Sequence, residues 1–486
     1  MQKKHSARIS IIAGLLFLST AYLFPQEPIA VHPDNPHYFT WKGAPVVLVT
    51  SAEHYGSIIN LDFYFEKYLE TLGNIGLNHT RVFLGDYVEL PGDFCIVTNP
   101  LSPASGRFIT PWIRSSEPGF KAGGNKFDLD KWNKDYFGRA HKFLRLAQEN
   151  NVVVEMVLFF VGFNWYTAPM NPDNNVNGTT SIPDTRYLTL DNGNILDYQE
   201  KYVRKIIREF NRYDNIIFNI INEPWFINSA YPGFSATPSR KTKKWILQVS
   251  DWITDEESKL PNRHLISIDY CNIGKPISEE DLETVFRNIN IFNHHYDRDA
   301  ESLRLNYHLD RILTFNETGL MPPVTDEYRI QGWRYMLSGG AMYNNLDFTF
   351  QVGAEDGSGT TDWDCTYYNG CTDPDMKYQM KVLLDFMNSI DFVNMKPSPE
   401  LLNVYFGDQD ISCLANPGKQ YAYYMAGGEQ SWLNLCIETG RYTATWIRPE
   451  DGAVIKTEEI DVENNQVNLM KPEYKKDLAL RITRIE

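Results

Sequence analysis

The sequence predicts an α/β chain in two parts, a (β/α)8 barrel followed by a small antiparallel β-sandwich. Three observations point there. Apolar runs of strand length, rich in Ile, Val and Phe, alternate with stretches of helical period through most of the chain and offer eight strand candidates, the rhythm of a parallel sheet buried on both faces. Several of these runs close on polar, chemically able residues; the fourth, residues 215–221, closes on Asn222-Glu223-Pro224-Trp225. From about Pro397 the rhythm changes to short alternating segments separated by Gly, Pro, Asn and Asp.

The chain has 486 residues, enough for a barrel of ordinary size and one smaller domain. Lys and Arg total 46 against 62 Asp and Glu, a formal net charge of -16 that argues against nucleic acid or an anionic membrane as partner, since either would be repelled. A neutral glycan meets no such objection. Aromatic residues make up 14% of the chain, and Trp and Tyr faces suit sugar rings, although most of these rings belong to cores. Residues 1–24 read as a secretory signal peptide, because Lys3, Lys4 and Arg8 precede an apolar segment over residues 9–18. That segment is too short for a bilayer span, and no Cys follows it to carry a lipid, so a secreted or periplasmic protein without membrane insertion is expected. Six Cys, at 95, 271, 365, 371, 413 and 436, are too few for a disulfide scaffold; Cys365 with Cys371 and Cys413 with Cys436 could each bridge or stay as thiols.

The TIM barrel is expected over residues 36–392. Residues 38–43 read as a hairpin and 45–50 as the first buried strand, which ends in the rim-like run Ser51-Ala52-Glu53-His54-Tyr55. A helix over 61–75 stops at Gly76, and 77–84 form the second strand. Arg81 falls inside that apolar run, and an internal guanidinium requires an anion beside it. Residues 85 to about 130 are rich in Gly, Pro and Ser and show no period. Such an excursion reads as a wall over a pocket, with Trp112 either touching substrate or anchoring the loop. A helix over 131–150 leads to the third strand, 152–160, whose early Glu155 reads as a polar residue of the lower barrel. Residues 162–194 form a second wall carrying Asn164-Trp165-Tyr166.

The helix over 195–211 feeds the fourth strand, where Pro224, unable to donate to a ladder, marks the end. A helix over 240–260, a fifth strand over 264–269, a sixth over 289–296, a seventh over 311–319, an eighth over 340–345 and a closing helix over 375–395 complete the cylinder. The sandwich is expected over 397–486, with strands near 411–414, 421–426, 442–447, 454–460 and 478–485.

A carboxylic acid at the C-terminal end of a barrel strand, beside a side-chain amide, is a candidate proton donor. Asn222-Glu223-Pro224 after an apolar strand resembles the signature of glycoside hydrolase clan A, the retaining glycosidases that include cellulase-like and mannanase-like families. The resemblance implies an acid/base Glu ending strand four and a nucleophilic Glu ending strand seven, places that Glu223 and Glu317 take here. It implies further that Arg81 and a hydroxyl from Tyr296 keep Glu317 anionic and that Asn222 donates to the substrate 2-hydroxyl. His294 and Tyr296 match the clan's His-x-Tyr on strand six. Trp165 belongs to the expected substrate wall. Where the clan commonly carries a Trp on strand eight, this chain has Tyr343-Asn344-Asn345, and Trp363 in the following loop is the expected substitute platform. The implied partner is a polysaccharide or oligosaccharide with β-glycosidic bonds, and no cofactor or metal is implied. The tail resembles the short domain that follows such barrels in several bacterial glycosidase families and carries a collagen-binding label; it is expected to pack against or position the barrel.

Two other readings stay open. His294-His295, with Glu53, His54 or Asp269, could ligate the metal of a metal-dependent barrel hydrolase. A non-catalytic carbohydrate-binding barrel would require one of the two carboxylates to be lost or displaced. The sequons at Asn78, Asn177 and Asn316 read as chance, two of them lying in or at strands.

Overall fold

The computed structural model describes residues 27–52, 55–96, 98–160, 165–225, 237–271, 274–297, 299–319, 325–360, 372–402, 410–427 and 431–485. Residues 1–24, expected as a signal peptide, and Glu53, His54, Asn164, Trp363, Cys365 and Cys371 lie outside the described residues. Strands and helices alternate as β1 (Leu48–Val49), α1 (Phe65–Ile75), β2 (His79–Phe83), α2 (Lys134–Glu149), β3 (Val153–Phe160), α3 (Ile195–Phe210), β4 (Ile216–Asn222) and α4 (Arg240–Glu257), then β5 (Ile266–Cys271), α5 (Glu279–Glu283), β6 (Ile291–His295), α6 (Glu301–Asn306), β7 (Ile312–Glu317), α7 (Thr325–Met336), β8 (Met342–Tyr343) and α8 (Met376–Asn388).

All eight strands run parallel in one sheet of order β1-β8-β7-β6-β5-β4-β3-β2. Every residue of β2 to β7 is buried, since helices cover one face and the barrel interior the other; hence the unbroken apolar runs. The ladder leaves one seam, between β1 and β2. Asn78 crosses it with its side chain, donating from Nδ2 to the Val47 carbonyl at 2.8 Å and accepting the Val49 N–H on Oδ1 at 3.0 Å. That use of the amide explains a polar residue at the foot of a buried strand.

The helices begin and end where their caps dictate. Asn133 accepts the Asp135 N–H at the start of α2, Ser239 accepts the Thr242 N–H at the start of α4, and α1 ends on Gly76 in the left-handed region at φ 86°. Two expectations are revised here. Residues 45–50 are not one strand: Ala44–Val46 pairs antiparallel with Phe39–Trp41, which also pairs with Ala30–Val31, and only Leu48–Val49 enters the barrel. The wall at 85–130 also has structure of its own, a bulged hairpin of Trp112–Pro118 with Asn125–Trp132 whose charged outer positions hide any apolar period. Trp112 is an anchor: it is 1% exposed and lies 5.1 Å from Tyr202 of α3, ring centre to ring centre.

After α8 the chain builds a six-stranded sheet, ordered Lys396–Pro397, Asp410–Asn416, Gln420–Ala426, Asp477–Arg484, Gly440–Ile447 and Val454–Val462, all antiparallel. A separate pair, Trp432–Leu435 with Val467–Met470, packs beside it and went unread in the sequence. Successive side chains of a strand face opposite ways. Accordingly Tyr421, Tyr423, Met425, Leu478, Leu480 and Ile482 form the sandwich's own core, whereas Ala422, Tyr424, Ala426 and Ala479 join the barrel's. Trp333 of α7 stacks on Tyr424 at 5.4 Å, and the Arg329 guanidinium grips Asp477 through Nε at 2.9 Å and Nη2 at 2.8 Å. Cys413 and Cys436 are both thiols rather than a bridge. No helix among the described residues is long and apolar enough to cross a membrane.

Candidate active site

Glu223 follows the last residue of β4 and Glu317 is the last of β7, so both stand at the C-terminal rim of the barrel. They face each other. One ligand atom from each of Glu223, His295 and Glu317 lies within 4.8 Å of the other two, and all three residues are buried.

Three donors converge on Glu317: Tyr296 Oη at 2.7 Å, Arg81 Nη1 at 3.0 Å, and the Tyr55 hydroxyl. Arg81, wholly buried, spends its other Nη2 on Asn222 Oδ1 and Asp269 Oδ2, each at 2.7 Å, and its Nε lies 3.6 Å from Glu155. The buried anion that Arg81 demanded is therefore three carboxylates, on β3, β5 and β7. The bond to Arg81 also orients Asn222, fixing Oδ1 as acceptor and leaving Nδ2 to donate. Tyr55 stacks on Phe83 at 4.1 Å and lies under the guanidinium, forming one side of the pocket.

Glu223 adopts φ 48°. A left-handed non-glycine residue costs about 1–2 kcal/mol, and the following proline disfavours compact backbone further. Its N–H donates to Asp269 Oδ2 at 3.2 Å, and its Oε1 lies 3.1 Å from His295 Nδ1. Burial and the charge of Glu317 push its carboxyl up to about 7, with His295 pulling the other way. Burial opposes charging the His295 ring, but Asp269 and Glu317 outweigh it and hold the ring's pKa well above the ordinary value. Asp269 likewise lies well below the usual carboxylate range, because Arg81 and His295 overcome its burial.

His294 is not part of this group. Its Nδ1 lies 3.3 Å from the Thr314 carbonyl, and burial lowers its pKa to about 4. The reason is strand alternation: Asn293, bonded to Glu155 and Asp269, faces the barrel interior, so His295 does too and His294 does not, and Tyr296 then turns through φ 55° to reach Glu317. A regular His-x-Tyr strand would present positions 294 and 296 together, whereas the left-handed turn at Tyr296 lets 295 and 296 meet. The adjacent imidazoles therefore do not form a metal-ligating pair. Glu223, His295 and Glu317 are spaced to hold a small cation, but the lone pairs of Glu317 are already met by two hydroxyls and a guanidinium, and His295 is engaged by carboxylates at both nitrogens. That donor set is spent within the protein.

Trp165 is 8% exposed and packs on Tyr187 at 4.5 Å, so the expected sugar wall is largely turned inward. Trp363 lies outside the described residues. Tyr343 points away from the pocket, donating its hydroxyl to the Tyr328 carbonyl at 2.9 Å. Glu155 sits below the site and accepts from Asn219, Ser267, Asn293 and Asn316, the last of these a sequon residue sealed in the barrel. Asp269 and Tyr55 were not singled out as site residues from the sequence, and His295 and Asp269 only as metal ligands. Asp269 carried a readable signal, a charge inside the apolar run Ile266-Ser267-Ile268, of the kind that exposed Arg81.

A parallel eight-stranded barrel with two buried glutamates opposed at its C-terminal rim is a fold that solved glycoside hydrolases, one of them of family 5, share. Among solved structures, a family 5 glycoside hydrolase from Bacteroides vulgatus superposes with a TM-score of 0.59 at 13% identity, covering 94% of this chain and 93% of that one. A structure described as a glycoside hydrolase gives 0.61 at 13% identity over 94% and 97%. A provisionally assigned glycoside hydrolase, also from Bacteroides vulgatus, gives 0.64 at 13% identity over 95% and 83%. No family model matches the sequence, and no curated protein does.

Proposed function

We propose that this protein is a secreted retaining glycosidase that cleaves β-glycosidic bonds of a polysaccharide or oligosaccharide by double displacement. The observation that carries the reading is the approach of Glu223 and Glu317, an oxygen of each lying within 4.8 Å of the other and of a nitrogen of His295. Retaining enzymes hold their carboxyl groups about 5 to 5.5 Å apart, and inverting enzymes about 6.5 to 9.5 Å to admit a water. The short gap supports the first arrangement.

In this reading Glu317 attacks the anomeric carbon while Glu223 gives its proton to the departing glycosidic oxygen. A covalent glycosyl-enzyme forms, and the leaving sugar takes the proton. Glu223, now a base, removes a proton from water as that water displaces Glu317 with a second inversion. The pKa of Glu223 suits both halves: raised while Glu317 is an anion, it falls once Glu317 is esterified and that charge is gone. Arg81, Tyr55 and Tyr296 align the nucleophile, and Asn222 Nδ2 reaches for the 2-hydroxyl.

The test is Glu317→Gln, Glu223→Ala and wild type on aryl β-glycosides and β-glucans or β-mannans, with product anomers followed by NMR. Glu317→Gln should abolish turnover, and Glu223→Ala should keep activated aryl glycosides but lose natural substrates. Harmless loss of Glu223 on natural substrates overturns the reading. The spacing of Glu223, His295 and Glu317 favours one rival, a metal hydrolase, for which a chelator would remove activity that Glu317→Gln leaves in part. Export rests on residues 1–24, and sequencing the mature N-terminus after cell fractionation tests it.

A further inference from the structure

We propose that Asp269 is a positioning residue of this site: a single carboxylate on β5 that holds Arg81, His295 and the Glu223 backbone in register and thereby sets the gap between the two glutamates. The inference rests on the assignment of Glu223 and Glu317 and deepens it, because Asp269 acts on the two carboxyl groups through Arg81, His295 and the Glu223 backbone.

Asp269 is fully buried and meets five hydrogen-bond donors and the His295 ring. Its Oδ2 takes Arg81 Nη2 at 2.7 Å and the Glu223 N–H at 3.2 Å, and lies 3.2 Å from His295 Nε2 as an ion pair. Its Oδ1 takes Asn219 at 3.0 Å, Asn293 at 3.0 Å and Asn316 at 3.3 Å, side-chain amides from β4, β6 and β7. The lower oxygen is thus pinned to the barrel and the upper one aims at the chemistry. Each cation it holds passes its far end to a glutamate. Arg81 reaches Glu317 at 3.0 Å through Nη1, and His295 reaches Glu223 at 3.1 Å and Glu317 at 3.7 Å through Nδ1. The third contact, to the Glu223 N–H, stabilises the left-handed turn that points this side chain across the pocket.

A buried imidazole keeps its proton only where anions surround it. The titratable and charged groups packed around this one are Arg81 from β2, Glu155 from β3, Glu223 after β4, Asp269 from β5, His294, Tyr296 and Asp297 on and after β6, Glu317 from β7, and Tyr55 and Tyr87 from the walls. Neutralising Asp269 removes the anion closest to His295 Nε2 and takes from Arg81 Nη2 the carboxylate it shares with Asn222.

The experiment is Asp269→Asn in the full chain beside Glu317→Gln and wild type, with phenyl β-glycosides, whose poor leaving group needs the acid, as substrates and imidazole 15N NMR as a substrate-free readout. The wild type should show His295 as an imidazolium at pH 7. Asp269→Asn should show a neutral ring, a kcat lower by about 100-fold with KM changed by less than about threefold, and a displaced alkaline limb of the pH profile; Asp269→Glu should restore the limb in part. Wild-type kcat in Asp269→Asn, or a loss of kcat with the limb and the imidazolium unmoved, overturns the proposal. So does a neutral His295 in the wild type, a result that needs no variant to fold. An active Glu317→Gln brings down the glutamate assignment instead.

Discussion

Glu223 carries the most consequential single property of the site, a carboxyl whose proton is held to about pH 7 by burial and by Glu317. An acid must hold its proton to give it away, so kcat/KM on substrates with poor leaving groups should fall about tenfold per pH unit above that value. A pH–rate profile on a dinitrophenyl glycoside, which needs no proton, should lack the limb; the same limb on both substrates contradicts the assignment. Tyr55 gives a second check. Its hydroxyl lies on Glu317 and on Arg81 Nη1, at 2.9 Å from the latter. Hydrogen bonds to charged groups contribute about 1.5–3 kcal/mol, so Tyr55→Phe should lower kcat about 10- to 100-fold while leaving the fold intact by circular dichroism.

The strands place these groups, and two of their connections invite tests. The seam between β1 and β2 depends on Asn78, and Asn78→Ala leaves the Val47 carbonyl and Val49 N–H unmet; a loss of about 1–3 kcal/mol in urea unfolding is expected. In the wall after β2, Glu89 is buried, accepts from Tyr87 and Asn99, and is pushed up to about 8 by that burial. A folded-state pKa above the unfolded value of 4.5 means stability present below 4.5 and lost as pH rises toward 8. Glu89→Gln should therefore flatten the decline of Tm between those values, and an unchanged slope counts against a protonated Glu89.

Across the whole molecule, the sandwich is a structural part of the barrel rather than a tethered appendage, because one sheet lends a face to each core. Arg329 and Asp477 are 2% and 4% exposed at that boundary. Asp477→Ala leaves Arg329 only the partly exposed Asp326 and the Gln379 amide and should cost about 1–3 kcal/mol, read by calorimetry, whereas Arg329→Met with Asp477→Leu should recover much of it. Ending the chain before Pro397 would bare Trp333 and its neighbours, and aggregation should follow.

The architecture was legible because a strand buried on both faces has no choice but to be apolar, and because Arg81, charged in such a strand, can only signal a partner. The same logic applied to Asp269 and went unused. The outer hairpin at 112–132 and the two strands near 432 and 467 were not legible, since their exposed positions break any period. Within the site, residue types and chain order marked Glu223, Glu317, Arg81, Asn222 and Tyr296, all of which the fold gathers at one rim. Which imidazole joins them was a tertiary decision. His295 is in phase with the inward Asn293, and a left-handed Tyr296 just past β6 breaks the alternation that would have paired it with His294; no period in a sequence records such a turn. The sequence determined which side chains could do chemistry; the closed sheet decided which of them meet, because side-chain direction in a strand depends on register, and register is set by neighbours distant in the chain.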